Sequence, residues 1–128
     1  MKIYSLLFVL FLSLDLTAQT GTGTDKLFKL RAKLVVAERS TTPCGIVGTA
    51  IVQKFRVEST DYPGYTNQYI IVIQPCPESL GTTFFRRGHV YEMKIAENSG
   101  ATFNYSYSNK YAPEHIPVFW CREIKKIE

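Results

Sequence analysis

The sequence predicts an all-β protein, a small five-stranded Greek-key barrel. Three observations carry that reading. Apolar and polar residues alternate with period two from Leu27 to Glu38 and again from Val90 to Ile95, as strands with one buried and one wet face require. A long β-branched stretch from Ile46 and a second one, Gln68–Ile73, flank the turn Asp61-Tyr62-Pro63-Gly64-Tyr65-Thr66-Asn67. Between the apolar runs stand Gly, Pro, Asn and Asp clusters at short spacing, which leave no room for long helices.

In the first strand Phe28, Leu30, Ala32, Leu34 and Val36 face inward, while Lys29, Arg31 and Lys33 face out. That basic row is read as a solvated face. Arg39 to Gly45 is a turn-rich connection. The second strand starts at Ile46 and runs through Val47, Ala50, Ile51 and Val52 into the alternation of Phe55 and Val57 with Lys54, Arg56 and Glu58. Gly48 within it marks a bulge or bend, and a long bent strand suits a closed barrel. Pro63-Gly64 fits the centre of a type II turn. Tyr69-Ile70-Ile71-Val72-Ile73 is apolar on both faces and should be the most buried strand. Pro75 and Pro77 stop it, and Glu78-Ser79-Leu80 is short enough for one helical turn. Val90–Ile95 is the fourth strand. After the turn Glu97-Asn98-Ser99-Gly100, the alternation of Phe103, Tyr105 and Tyr107 with Asn104, Ser106 and Ser108 predicts a fifth strand with an aromatic core face. For residues 118–127 a short strand (Val118–Cys121) and a short C-terminal helix (Trp120, Ile124 and Ile127 at helical spacing) both fit.

The first residues carry an address. Lys2 precedes the apolar run Ile3–Leu16, interrupted by Asp15, and Leu16-Thr17-Ala18 ends it with small residues. That is the layout of a secretory signal peptide, residues 1–18, cut after Ala18. The run is shorter than the ~20 residues a spanning helix needs. Residues 19–26 then form a flexible leader, and 27–128 a single barrel domain. The implied location is secreted or periplasmic, with no integral membrane segment after cleavage.

Export predicts a disulfide between two of Cys44, Cys76 and Cys121. Three pairings are possible, and loop entropy ranks them alike at about 3–4 kcal/mol. Position favours Cys44–Cys76, since the two flank the outer ends of one antiparallel hairpin. Cys121, after Phe119-Trp120, reads as a buried free thiol.

The order of alternating strand, Cys44-Gly45, long strand, hairpin, central strand, Cys76, then Phe85-Arg86-Arg87-Gly88-His89-Val90-Tyr91 resembles secreted OB-fold domains of the netrin-like kind over Leu27 to Ala96. The chain is also similar to small secreted bacterial proteins, which imply no particular activity. The resemblance implies an OB-like barrel. Netrin-like relatives that inhibit metalloproteases cap the enzyme's zinc with an amino-terminal cysteine. Here the mature chain would begin Gln19-Thr20 and reach its first cysteine at Cys44, so no functional residue is carried over.

The chemistry-bearing patterns are few. His89 and His115 are the only histidines, and no Cys-x-x-Cys or His-x-x-x-His spacing occurs. No metal site or cofactor is therefore expected. There is no Gly-x-Ser-x-Gly elbow and no phosphate-cradling glycine loop. A Cys–His pair using Cys121 is the one enzymatic option, and the sequence disfavours it. The net charge of +4 is spread along the chain, too thin for a nucleic-acid footprint. Aromatic and basic loop residues remain as candidate ligand contacts, namely Tyr62, Tyr65, Arg86 and Arg87, because barrels of this type hold ligands by stacking. Tyr105 and Tyr107 are read as core. Asn104-Tyr105-Ser106 matches a glycosylation acceptor pattern. The expectation is a non-catalytic exported module that binds a protein or glycan, with a structural envelope role as the alternative.

Overall fold

A computed structural model describes residues 26–39 and 42–127. The expected signal peptide and most of the leader lie outside the described residues. Among those described, five strands are present: β1 Phe28–Leu34, β2 Ala50–Thr60, β3 Tyr69–Pro75, β4 Val90–Ala96 and β5 Val118–Lys126. They close into a barrel in the order β1-β2-β3-β5-β4. Every pairing is antiparallel except β3 with β5, which run parallel. This is an OB-like, all-β architecture with two short 3₁₀ turns, Pro77–Leu80 and Ala112–Glu114.

Closure needs curvature, and two ladder irregularities supply it. The β1–β2 register shifts between Arg31 and Ala32, and the β4–β5 register shifts between Lys94 and Ile95. The interior is filled from all five strands by Phe28, Leu30, Ala32, Leu34, Phe55, Ile70, Val72, Tyr91, Met93, Ile95, Phe119 and Cys121. Ala32 lies opposite Tyr91 in the ladder, so the smallest interior side chain faces one of the largest. Tyr91 is fully buried and keeps its hydroxyl satisfied. It donates to the Phe84 carbonyl at 2.6 Å and accepts from the Arg86 N–H at 2.8 Å. Each such large side chain contributes about 1.5–3 kcal/mol by leaving water.

β3 is buried on both faces, as its composition predicts: Ile70 and Val72 point into the barrel, while Ile71 and Ile73 pack outside with Val52 and Tyr111. The Tyr62–Tyr65 turn has Gly64 at φ +70 and a bond from the Tyr65 N–H to the Tyr62 carbonyl at 3.3 Å, the type II arrangement.

Four sequence expectations need correction. The fifth strand is Val118–Lys126, and residues 103–108 are irregular apart from one bridge between Thr49 and Ser106. The same strand replaces the alternative C-terminal helix, because its inward residues Phe119 and Cys121 close the barrel between β3 and β4. β2 begins at Ala50, leaving Ile46 and Val47 in an exposed loop. β1 ends at Leu34, and Val36 is exposed. Residues 103–108, 46–49 and 36–38 have strand-compatible sequences but lie outside the ladders that close the barrel, whereas 118–126 found neighbours on both sides.

Candidate functional site

The expected contact residues sit at opposite ends of the barrel. Tyr62 and Tyr65 lie where β2 turns into β3, beside the start of β1 and the start of β5. Tyr62 packs edge-on to Phe28 at 4.6 Å and to Phe119 at 4.9 Å, and Tyr65 lies 6.3 Å from Phe119. Both rings are half-buried and cover the interior core. The Tyr62 hydroxyl donates to Glu97 at 2.8 Å, and the Tyr65 hydroxyl donates to the Tyr69 carbonyl. The Glu97 bond, with burial behind it, raises the Tyr62 pKa. Burial pushes Tyr65 up to about 12. Arg86 and Arg87 are exposed near the start of β4, where Phe84 and Phe85 pack on Tyr91 and cover the other end. The structure does not bring the two pairs together into one surface.

A different surface is assembled on the outside. The connection from β4 to β5, residues 97–117, crosses the outer face of β3. It is anchored by Tyr111, which is buried and donates its hydroxyl to Glu38 at 3.0 Å, with Lys110 paired to the same carboxylate. It is also pinned at Ser106, whose N–H donates to the Gly48 carbonyl at 2.8 Å and whose carbonyl accepts from the Ala50 N–H at 3.1 Å. These bonds set Phe103 and Tyr105 against Gly48, where an added Cβ would lie 2.6 Å from the Phe103 ring and 2.9 Å from the Tyr105 ring. Only the absence of a side chain permits that approach.

The rings continue onto β5. Phe103 lies 4.9 Å from Tyr105, Tyr105 lies 5.6 Å from Trp120, and Tyr107 meets Trp120 edge-on at 5.3 Å. Trp120 faces outward and packs beside Ile71 and Ile73. Phe103 is 53% exposed and Tyr107 46%, and Val118, two residues before Trp120, is 39% exposed. Just before Gly48 in the chain, Val47 is 59% exposed and Ile46 stands entirely in solvent. Residues 98–109 contain no charged side chain and no proline. The result is a ridge of half-exposed rings and aliphatic tips drawn from the β1–β2 loop, the β4–β5 connection and β5.

A disulfide braces this corner. Cys44 and Cys76 are bonded, with S–S 2.07 Å and Cα–Cα 5.3 Å, the pairing favoured by position. The Cys44 N–H donates to Glu78 at 2.7 Å. Thr49 is held on three sides: its N–H points at the Cys44 sulfur at 3.2 Å, its carbonyl accepts from the Cys76 N–H at 2.9 Å, and its hydroxyl donates to the Thr42 carbonyl at 2.8 Å. Cys44, Cys76 and Glu78 are also the one group of three potential metal ligands among the described residues, and the disulfide consumes two of them.

Cys121 is free and buried, and burial, reinforced by the nearby Glu123, pushes its thiol up to about 12. It therefore stays protonated at neutral pH, the opposite of an activated nucleophile. On the far outer face a hollow of about 680 Å³ is lined by both signs of charge. Arg31 pairs with Glu58 at 3.0 Å and Glu92 at 3.5 Å, and Lys94 pairs with Glu123 at 3.2 Å. Such exposed pairs contribute ~0–1 kcal/mol each and create no field of one sign.

No family model, no curated protein and no solved structure matches this chain. Among the described residues no helix is long and apolar enough to cross a membrane.

The outer ridge was only partly legible. Its signal was the alternation of Phe103, Tyr105 and Tyr107 with Asn104, Ser106 and Ser108, which predicts a strand with its rings toward the core. Nothing local could reveal that this run would lie against Gly48 and Trp120 from outside.

Proposed function

We propose that this protein is an exported, non-catalytic binding module that takes a protein partner on the ridge formed by Ile46, Val47, Phe103, Tyr107, Val118 and Trp120. The observation that carries this reading is the run of rings Phe103, Tyr105, Trp120 and Tyr107 on the outer wall, which leaves Phe103 and Tyr107 about half-exposed, with exposed Val118 on the same strand as Trp120 and exposed Ile46 and Val47 just before Gly48 in the chain. Contiguous exposed apolar patches mark interaction sites, and aromatic residues dominate interface energetics. A protein partner fits better than a glycan. The rings are turned 43° to 90° from one another and present no common stacking plane. Ile46, Val47 and Val118 offer aliphatic tips that favour an apolar protein surface.

Export is supported by the signal-like amino terminus and the disulfide. The non-catalytic part rests on the protonated, buried state of Cys121 and the absence of a catalytic motif in the sequence. Tyr62 and Tyr65 serve on this reading as a plug for the barrel, and Arg86 and Arg87 as solvated surface.

The test is site-specific photo-crosslinking in the native host. A photoreactive phenylalanine analogue at Tyr107 should give a discrete protein adduct, lost on adding Phe103→Ala and Ile46→Ser. The same analogue at Arg87 should give none. Adducts at Arg87 and none at Tyr107 would move the contact surface to the barrel end. An adduct of this chain with itself would make self-assembly, and a structural role, the better reading. Binding to a glycan array that Phe103→Ala abolishes would replace protein by glycan.

A further inference from the structure

We propose that the partner protein docks on the ridge by strand addition: an extended, uncharged segment of it pairs with the free backbone edge of residues 103–107. The proposal rests on the reading of this ridge as the contact surface and names the form of partner it takes.

Ser106 sets the geometry. Its N–H donates to the Gly48 carbonyl at 2.8 Å and its carbonyl accepts from the Ala50 N–H at 3.1 Å, a parallel bridge centred on Thr49. Both backbone groups of Ser106 therefore point to one side of the segment. Residues 104 to 108 contain no turn or bend, so the chain passes through the bridge extended. In an extended chain the N–H and C=O groups of successive residues point to alternate sides. Those of Tyr105 and Tyr107 face away from residues 48–50. Among the described residues, Ser106 is the one residue of 103–108 whose backbone bonds to the backbone of another segment.

This leaves a strand edge of a kind that proteins commonly close off. The five strands of the barrel each have a neighbour on both sides, whereas residues 103–108 have one on a single side. Open edges are usually blunted by lysine, proline or a covering loop. Residues 98–109 contain no charged side chain and no proline, and Asn104, Ser106 and Ser108 are exposed. The edge is also held in place. Ser106 fixes it to the start of β2, and Tyr105 and Tyr107 both pack on Trp120. A pre-set edge lowers the ordering cost of binding.

The edge defines its occupant. Main-chain bonds select an extended segment, and side chains at alternate positions give specificity. On one face of the added strand, side chains lie beside Phe103, Tyr105 and Tyr107. On the other they lie beside Asn104, Ser106 and Ser108. The first set should be aromatic or β-branched, which pair well with rings across strands, and the second small and polar. A charged residue in either set would leave water with no counter-charge along 98–109. The segment that fits alternates apolar and polar residues and carries no charge.

The test uses random linear peptides displayed on phage as the probe, selected on the exported, disulfide-bonded protein. The selected sequences should alternate apolar and polar residues and lack charge. The best of them is then synthesised with single N-methyl groups along its backbone. N-methylation should weaken binding at least about tenfold at every second residue and less than about twofold between, because alternate N–H groups face the edge. In hydrogen exchange followed by NMR, the bound peptide should slow the Tyr105 and Tyr107 amides at least about tenfold and leave those of Asn104 and Ser108 within about twofold. Failure to select a linear peptide, equal tolerance of N-methylation along it, or unchanged exchange at Tyr105 and Tyr107 would overturn strand addition. So would slow exchange at Tyr105 and Tyr107 in the protein alone that accelerates on dilution, which would make a second copy of this chain the occupant. If strand addition fails by these measures while Tyr107 still crosslinks to a partner in the native host, the binding reading stands without it. If the peptide pairs as described but Tyr107 crosslinks to nothing, the edge takes strands and the binding reading falls.

Discussion

Two aromatic clusters on this barrel, each rich in Phe and Tyr, meet water very differently. Phe28, Tyr62, Tyr65 and Phe119 gather at the mouth of the barrel, where each ring has the interior core behind it. Phe103, Tyr105, Tyr107 and Trp120 gather on the outer wall, with β3 beneath them and water above. The first is a plug, with its hydroxyls tied to Glu97 and to the Tyr69 carbonyl. In the second, two rings remain about half-exposed. Sequence pattern predicts the reverse, with loop tyrosines in solvent and alternating tyrosines in the core. Exposure is thus a property of what the closed sheet leaves beside each ring, and the outer cluster is the one with surface to offer.

The largest effect is expected from Phe119→Ala. Phe119 is 4% exposed and touches both plug tyrosines, so its loss should cost about 3–5 kcal/mol, read as a lower denaturant midpoint at unchanged m-value. Removing the disulfide in Cys44→Ser/Cys76→Ser should cost about 2–4 kcal/mol. If its thermal transition split in two, the ridge and the barrel would be separate cooperative units.

Alkaline titration separates the interior from the ridge by a smaller effect. Cys121 and Tyr65 both hold their protons more tightly in the folded protein, at about 12 against ordinary values of 9.0 and 10.0. As pH rises the unfolded chain gives up these protons first. Stability is therefore full below about pH 9 and falls as pH climbs from there toward 12. Thermal midpoints measured from pH 7 to 11 should be flat and then decline, and Cys121→Ala should move the onset up toward pH 10. A midpoint rising above pH 9 would contradict the burial of both groups.

Gly48→Ala comes next. Its Cβ would meet the ends of two rings, which can swing outward, so the expected cost is only about 1 kcal/mol. Trp120 fluorescence should nevertheless change, because Tyr105 moves with the displaced stack. The smallest effect belongs to Tyr107→Ala, which should alter stability by less than about 1 kcal/mol while reducing partner binding at least tenfold, a loss of about 1.4 kcal/mol. A stability loss in Tyr107→Ala equal to that in Phe119→Ala would erase the distinction between plug and ridge.

The part of the molecule legible in the sequence is the part governed by local periodicity and chain direction. The inward row of β1, the two-sided burial of β3, the Pro63-Gly64 turn, the β4 alternation and the all-β class were legible because side-chain alternation and turn chemistry act between near neighbours. The Cys44–Cys76 pairing was legible because an antiparallel hairpin brings its outer ends together. Which of two compatible segments completed the barrel was settled by closure of the sheet. Residues 103–108 and 118–126 both have strand character, and closure selected the second, which joins β3 and β4 through its inward Phe119 and Cys121. The displaced aromatic run then lay across the outside, where one glycine made room for it. Side-chain period two states that a strand has two faces. Which face meets water depends on what packs beside it, and that is a relation between residues far apart in the chain.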